Sequence, residues 1–294
     1  MPSDVIQWFP GHMAKTRRLI SENLKNVDLV IEILDARIPY SSRNPELGRL
    51  SAGKPTLLLL NKASLADPAQ NRRWAEALSD ETTTCLLTDC ITGEGLKNLE
   101  PTIKKILAEK LKRYEEKGMT GRRVRAMVLG IPNVGKSSLI NKICGAKKTK
   151  VENRPGVTTD KQWVQTNIGV DLLDMPGILW PKFEERRVGE NLALTGAIRD
   201  GVLDLEGLAV ILCKRLRLLY PNLLAERYKL GDPSGFETLS DYELFLAIGK
   251  KRGFLVSGGE INVERTANML LDEFRNTKIG RITLERYSKE ELHA

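Results

Sequence analysis

The sequence predicts an α/β chain, with a mostly parallel, doubly wound sheet in its first part and an α-helical domain after it. Three observations carry this. Residues 27–37 (VDLVIEILDAR) and 55–62 (PTLLLLNK) are apolar runs that end in polar residues, the pattern of strands buried on both faces. A glycine-rich turn at 130–137 follows a third apolar run at 124–129 and leads into a helical pattern from 138. Beyond about Pro181 the strand-like runs mostly stop, and helical patterns cover 188–199, 205–219, 242–251 and 263–277.

The elements between follow from local chemistry. Residues 83–88 form a further, weaker strand candidate. Leu99, Ile103, Ile106, Leu107 and Leu111 recur at helical spacing, which predicts one helix over 98–117. Gly118 and Gly121 then mark a hinge. Residues 163–168 and 170–173 read as a hairpin turning at Asn167-Ile168-Gly169. Pro221, Pro233 and Gly258-Gly259 punctuate the helices. The expected division is 1–182, including an N-terminal arm, and 183–294.

Bulk properties narrow the classes. The chain has 294 residues, 41% hydrophobic and 29% charged, an ordinary globular balance. None of its 4 cysteines forms a C-x-x-C pair, so zinc and dithiol chemistry are weakly indicated and reduced thiols in the cytoplasm are expected. No apolar stretch reaches the roughly 18–20 residues of a membrane span, and no basic-then-apolar export signal opens the chain. The net charge of +8 permits nucleic-acid binding. Residues 186–294 carry 17 Lys/Arg against 16 Asp/Glu, so the surplus lies upstream. It gathers at 104–125 and at Lys142, Lys147, Lys148, Lys150 and Arg154. Each cluster reads equally well as a solvated face or as an RNA-facing surface.

The chemistry begins at Gly130-Ile131-Pro132-Asn133-Val134-Gly135-Lys136-Ser137. The glycines let a backbone wrap a β-phosphate. N–H groups of Asn133, Val134, Gly135, Lys136, Ser137 and Ser138, at a helix N-terminus, supply positive potential. Lys136 is placed to reach the β- and γ-phosphates, and Ser137 to ligate Mg²⁺. Asp174-Met175-Pro176-Gly177 closes a strand downstream. There Asp174 is the candidate second Mg²⁺ carboxylate and the Gly177 N–H a γ-phosphate sensor. Between them, Thr158 or Thr159 in Arg154-Pro155-Gly156-Val157-Thr158-Thr159 can add a hydroxyl to Mg²⁺ when the loop closes. Asn61-Lys62-Ala63-Ser64 resembles the base-reading N-K-x-D of GTPases, with Ser64 where the carboxylate belongs. Thr88 and Asp89, in Thr88-Asp89-Cys90, stand where a further base-contacting loop is expected.

The order of these motifs is unusual. An ordinary GTPase begins with the phosphate loop and ends with the base-reading strands; here the base-reading motif comes first. The chain reads as a circularly permuted P-loop G domain, whose segment after Gly177 runs straight into the helices.

Gln7-Trp8-Phe9-Pro10-Gly11-His12-Met13-Ala14-Lys15, Asp35-Ala36-Arg37-Ile38-Pro39, Ser42-Arg43-Asn44-Pro45, the loop GIPNVGKS and Pro176-Gly177-Ile178-Leu179-Trp180-Pro181 together resemble the ribosome biogenesis GTPase A (YlqF/RbgA) family over nearly the whole chain. The resemblance implies binding of GTP and GDP, and GTP hydrolysis late in assembly of the large ribosomal subunit. It also implies a partner in the subunit precursor, with its rRNA and proteins, a helical RNA-binding domain and no membrane. It implies that His12 supplies the water-positioning role that Ile178, after Gly177, has no polar group to perform. Asn133 resembles the asparagine that helps hold K⁺ in potassium-stimulated GTPases.

Ser64 is the main departure, since a neutral hydroxyl accepts more weakly than a carboxylate. Guanine selectivity is expected to weaken unless Asp67 or another group substitutes. On sequence alone, Ser64→Asp is expected to raise the preference for GTP. The competing reading is an rRNA-binding scaffold that responds to nucleotide with weak or relaxed-specificity NTPase activity. Lys250-Lys251-Arg252 and Lys278-Ile279-Gly280-Arg281 are local basic spots of the helical domain, which read equally well as phosphate contacts or as exposed helix-end charge.

Overall fold

A computed structural model describes residues 10–119, 121–145, 162–180 and 183–287, with side chains from residue 14 onward. Within it six strands form one sheet: β1 (Leu29–Asp35), β2 (Thr56–Asn61), β3 (Thr83–Leu87), β4 (Val124–Gly130), β5 (Gln162–Gln165) and β6 (Val170–Asp174). Their order is β3-β2-β1-β4-β6-β5, parallel except for β5, which runs antiparallel to β6. Every residue of β1 is buried, which is why its sequence is a nearly unbroken apolar run. The chain leaves β1 on one side to build β2 and β3, then returns to its other side for β4. The sheet order therefore reverses between β1 and β4, and ligand crevices in such sheets open there, beyond the carboxyl ends of the strands. Asp35 pairs in register with Asn61, Ile33 with Gly130, and Val128 with Asp174. The carboxyl ends of four strands, at Asp35, Asn61, Gly130 and Asp174, are thereby brought to one rim.

Helices cover both faces. On one side α1 (Pro10–Leu24) and α2 (Pro45–Leu50) lie near Val30, Met127, Leu129 and Leu173. Trp74 of α3 (Pro68–Ala77) fills a second cluster with Leu34, Leu58 and Leu60. On the other side α4 (Leu99–Ile106), α5 (Ala108–Glu116) and α6 (Lys136–Cys144) cover Ile31, Ile33, Val128 and Leu172. That core is continuous with the helical part: α7 (Arg186–Leu194), α8 (Leu205–Leu219), α9 (Pro221–Tyr228), α10 (Asp241–Lys251) and α11 (Val263–Arg275).

Several elements differ from the sequence pattern for identifiable reasons. The helix expected over 98–117 is broken at Leu107 into α4 and α5. The helix expected to reach 199 stops at Leu194, because Gly196 adopts φ +79° and turns the chain away. Pro221 opens α9 rather than merely separating helices, since a first-turn proline gives up no hydrogen bond. α1, α2 and α3 carry too few apolar positions in sequence to announce themselves; α2 and α3 are instead set by their Asn44 and Asp67 caps, each followed by proline.

The chain ends by crossing back. Ile282 N donates to Leu65 O (3.1 Å), Leu284 N to Arg37 O (2.8 Å), and Trp74 Nε1 to Glu285 O (2.8 Å). The buried Glu285 carboxylate accepts from Tyr40 N, Ser41 N and Asn191 Nδ2, tying the loop after β1 to α7.

Glu32, in the middle of β1, is buried, and its Oε1 has no partner among the described residues. Burial pushes its pKa up to about 7 against the pull of Arg43 and the Asn44 N–H. A carboxyl whose folded pKa is raised favours folding below its ordinary pKa of 4.5, and that contribution disappears as pH rises through about 7. Glu32→Gln is therefore expected to match the wild type in stability near pH 4 and to exceed it by on the order of 2 kcal/mol at pH 8. Denaturant unfolding at the two pH values checks this; an equal difference at both would remove Glu32 as the titrating group.

Candidate functional site

The phosphate-type loop is shaped by positions where a side chain does not fit. Gly130 has φ +152°, and a Cβ there would lie 2.7 Å from Ile33 O. Gly135 has φ +111°, and its Cβ would meet Asn61 Nδ2 at 2.3 Å. The loop thus presses against the ends of β1 and β2 and leads directly into α6 at Lys136. Lys136 is buried, and its Nζ donates to Gly130 O (3.3 Å) and Ile131 O (3.0 Å). Burial pulls its pKa down to about 8 despite the nearby Asp174. Burial likewise pushes Asp174 up to about 6 despite Lys136. Asp174 Oδ1 is buried with no hydrogen-bond partner among the described residues. An under-solvated cation and an orphaned carboxylate oxygen side by side suit an anion and a divalent cation that arrive together.

Gly177 is packed onto this loop. A Cβ on it would lie 2.9 Å from both Pro132 N and Cα, and 3.0 Å from Lys136 Nζ. Ile178 N donates to Gly130 O (3.3 Å). Gly177 and Ile178, just after β6, thus lie against the loop at Pro132 and Gly130.

Asn61, at the end of β2, joins two loops. Its Nδ2 donates to Val134 O (2.8 Å), and its Oδ1 accepts from Cys90 N (3.0 Å). Lys62 adopts φ +61° and directs Nζ to Asn133 O (2.8 Å) and Asp35 Oδ2 (2.9 Å). Asp35 also takes a two-pronged bond from Arg37, at 2.9 and 2.7 Å. Burial alone would raise the Asp35 pKa, but Arg37 and Lys62 together hold it well below the usual carboxylate range. Arg37 continues outward, donating to Arg275 O (3.4 Å) and lying over the Phe274 ring of α11. In sequence, Asp35-Ala36-Arg37 stands out only as a mark of the family resemblance. The signal missed was two charged residues, Asp35 and Arg37, at the end of a mostly apolar strand, beside a second strand that ends in Asn61 and is followed by Lys62.

The suggested substitute for the missing base-reading carboxylate is occupied elsewhere. Asp67 caps α3 through Ala69 N (2.8 Å) and Gln70 N (3.4 Å), and accepts from Tyr220 Oη (3.1 Å). The carboxylate next to Ser64 belongs to Asp89: Ser64 Oγ donates to Asp89 Oδ2. Thr88 is buried with Oγ1 unpartnered among the described residues, while its backbone zips Leu60 to Ala63. Asn133, with φ +57°, donates from Nδ2 to Gly196 O (2.8 Å), reaching past the loop to the end of α7.

Other candidates are placed only in part. His12 lies in the first turn of α1, and its side chain falls outside the described residues. So do Gln7-Trp8-Phe9, Arg154 to Thr159 (with Thr158), the basic residues 147, 148 and 150, Pro181 and His293. Ile20 of α1 shares a core cluster with Met175 and Ile178, so the arm's helix packs on the segment that follows Asp174. The basic spots mostly dissolve into internal pairs. Arg252 bonds Glu273 (3.2 Å), Lys278 bonds Asp272 (3.0 Å), and Arg281 donates to Ala63 O and Ala66 O. Upstream, Lys110 pairs with Asp28 (2.7 Å) and Arg123 with Asp171 (2.6 Å). Lys250 and Lys251 remain exposed.

Comparison with known proteins agrees with this geometry. A family profile described as "50S ribosome-binding GTPase" matches residues 125–209. The ribosome biogenesis GTPase A of Bacillus pumilus (strain SAFR-032) is 46% identical over 281 residues, spanning 96% of this chain and 98% of that one. The chain belongs to the ribosome biogenesis GTPase A family. The mitochondrial ribosome-associated GTPase 1 of Mus musculus is 33% identical over 96% of this chain and 91% of its own length. A GDP-bound YlqF structure aligns over 92% of this chain and 99% of that one, at 26% identity and TM-score 0.64. The GNP-bound YlqF of T. maritima aligns over 92% and 98%, at 27% identity and TM-score 0.60. The chain is thus a GTPase with a P-loop G domain, and the β-strand order is that of a sheet entered at a permuted point. No helix among the described residues is long and apolar enough to cross a membrane.

The close approach at Gly177 generates a prediction. Its added Cβ would collide with backbone, which cannot swing aside. Gly177→Ala is expected to weaken GTP binding by about tenfold or more, the equivalent of about 1.4 kcal/mol of loop displacement. Titration with a fluorescent GTP analogue measures this; wild-type affinity would mean that the loop and Gly177 part at no cost.

Proposed function

We propose that this GTPase acts in late assembly of the large ribosomal subunit, binding precursor particles in its GTP state and leaving after hydrolysis. In this reading it works in the cytoplasm, with residues 1–182 as the nucleotide domain and 183–294 as the rRNA-facing domain. The observation that carries the nucleotide site is Asn61, whose one amide joins the phosphate loop to the loop after β3. That pairing brings triphosphate-binding and base-reading segments together although they are far apart in sequence.

Lys136 and the loop N–H groups from Asn133 to Ser138 would hold the phosphates, with the Gly177 N–H facing the γ-phosphate. Ser137, Asp174 and Thr158 would hold Mg²⁺. The orphaned Asp174 Oδ1 favours that assignment. Bound there, Mg²⁺ would offset the charge that develops on the phosphates. The Asn133 amide nitrogen is committed to Gly196, so its carbonyl oxygen is the group left to hold K⁺, which can stabilise transition-state charge. Lys62 would lie along the base while bracing Asn133.

Water positioning falls to His12. Ile178, the residue after Gly177, is buried among apolar side chains and has no group to orient water. Ile20 of α1 shares a core cluster with Ile178, and His12 stands about 12 Å further up the same helix, in its first turn. In this reading rRNA completes the placement of His12, so the intrinsic rate should be low and the particle-stimulated rate high. His12→Ala is expected to bind GTP as the wild type does, yet to lose at least about a hundredfold of its subunit-stimulated turnover. Phosphate release with and without large-subunit precursors decides it. Undiminished stimulation in the variant would take His12 out of the mechanism, and no stimulation of the wild type would defeat the assembly role.

A further inference from the structure

We propose that Ser64 and Asp89 form a transposed guanine reader, in which Asp89 accepts the hydrogen bond that the Ser64 hydroxyl donates and leaves Ser64 Oγ as an obligate acceptor facing the base. The inference rests on the nucleotide-site reading above, and in particular on the base lying against the loop at 61–64.

The geometry begins with two loops held together. Asn61 fixes the end of β2 to Cys90 N (3.0 Å), and Ala63 N bonds Thr88 O (3.1 Å). Ser64 and Asp89 are thereby brought into contact, Oγ to Oδ2. Asp89 Oδ1 is saturated by Ile91 N and Thr92 N, both at 2.9 Å. Asp89 itself is buried, whereas Ser64 is half-exposed. The base therefore meets the serine first and the carboxylate behind it. Asp89 is a positioning residue and Ser64 the contact. Burial opposes ionisation of Asp89, but the bonds from Ser64, Thr92 and Ile91 hold its pKa below the ordinary value, so it is ionised at neutral pH.

The consequence is a matter of hydrogen-bond polarity. A free serine hydroxyl can donate or accept, so it reads neither purine. A hydroxyl whose O–H is already donating to an ionised carboxylate can only accept from any further partner. Guanine offers donors, N1–H and the 2-amino group, along the edge that N-K-x-D motifs read. Adenine offers an N1 lone pair there, and two acceptors facing each other repel. The charge behind the hydroxyl also strengthens it as an acceptor, since charge-assisted bonds are about twice as strong as neutral ones. The carboxylate has moved from the loop after β2 to the loop after β3, with a hydroxyl as its extension.

This reverses the expectation for Ser64→Asp drawn from sequence alone. That change would set two carboxylates against each other, and like charges in contact disfavour ionisation of both. Asp89→Asn keeps an oxygen for Ile91 N and Thr92 N but turns an amide N–H toward Ser64, freeing the hydroxyl to donate to adenine.

Equilibrium competition of GTP and ATP against a fluorescent GDP, with inorganic phosphate release followed in parallel, tests the pair in the full-length protein. The wild type is expected to prefer GTP by at least about a hundredfold. Asp89→Asn should cut the GTP:ATP ratio by about tenfold or more, with GTP affinity falling while ATP affinity holds or rises. A merely structural role would lower both together. Ser64→Asp alone should weaken GTP, and Ser64→Asp with Asp89→Asn should restore the preference, because the carboxylate is then singly placed at the motif position. An unchanged ratio in Asp89→Asn, or a stronger GTP preference in Ser64→Asp alone, overturns the proposal, as does a wild type without GTP preference. Lys136→Ala separates the two levels. If it binds nucleotide as the wild type does, the site itself is misread; if it loses all binding while Asp89→Asn keeps the wild-type ratio, only the Ser64–Asp89 reader falls.

Discussion

The carboxylate of Asp35 is the point on which the rest of the site depends. It is 2% exposed, and taking an ion so far from water costs several kcal/mol unless its lone pairs are filled. Arg37 fills them from one side with two parallel bonds, and Lys62 from another. Such a cluster is weak evidence for stability, because apolar residues of the same volume often serve as well. Its value lies in direction. An apolar replacement would leave Lys62 with no reason to hold a left-handed backbone and reach Asn133 O. The phosphate loop would lose a strut on the side facing β2, and Arg37 would lose the anchor from which it reaches α11.

Asn61 completes what Asp35 begins. The two residues sit side by side in register at the ends of β1 and β2. One secures the loop through Lys62 and the other through its own amide. Gly135 is required because any Cβ there would meet the Asn61 amide. The constraint thus runs from a strand register, through two polar side chains, to the identity of a glycine more than seventy positions away. Changing the entry point of the chain leaves these contacts intact, because every one is made across strands rather than along the sequence.

The sheet and the phosphate loop were legible in sequence because their signals are local. Buried parallel strands announce themselves as apolar runs, and Gly130 to Ser137 has fixed spacing. The helices α1 and α3 were not, since Trp74 is the one apolar residue among the three that α3 buries, beside Gln70 and Asn71, and its cap, Asp67, was entertained instead as a base-reading group. Asp89 was placed in the site by position alone, and its partnership with Ser64 was invisible because 25 residues separate them. The same holds for the return of the chain at 279–287, where Arg281 looks in sequence like a free cation but donates to Ala63 O and Ala66 O. Local composition cannot distinguish a solvated charge from one whose partner comes from a distant segment.

Arg281 also shows why the helices and the nucleotide site cannot move independently. The loop after β2 is bonded from behind by the C-terminal segment, at Ala63 O, Ala66 O and Leu65 O. The phosphate loop is bonded from the side by α7, through Asn133 and Gly196 O. Arg275, at the end of α11, donates to the carbonyls of Ala193 and Leu194 just before that glycine. A displacement of Asn133 on phosphate binding would therefore pull on a turn already clamped to α11, and α11 is tied through Arg37 back to Asp35. The connections close a ring from loop to helix to strand. In a ring of short, directional bonds, a shift of one member has to be taken up by another. The helical part is thus mechanically part of the site rather than an appendage to it.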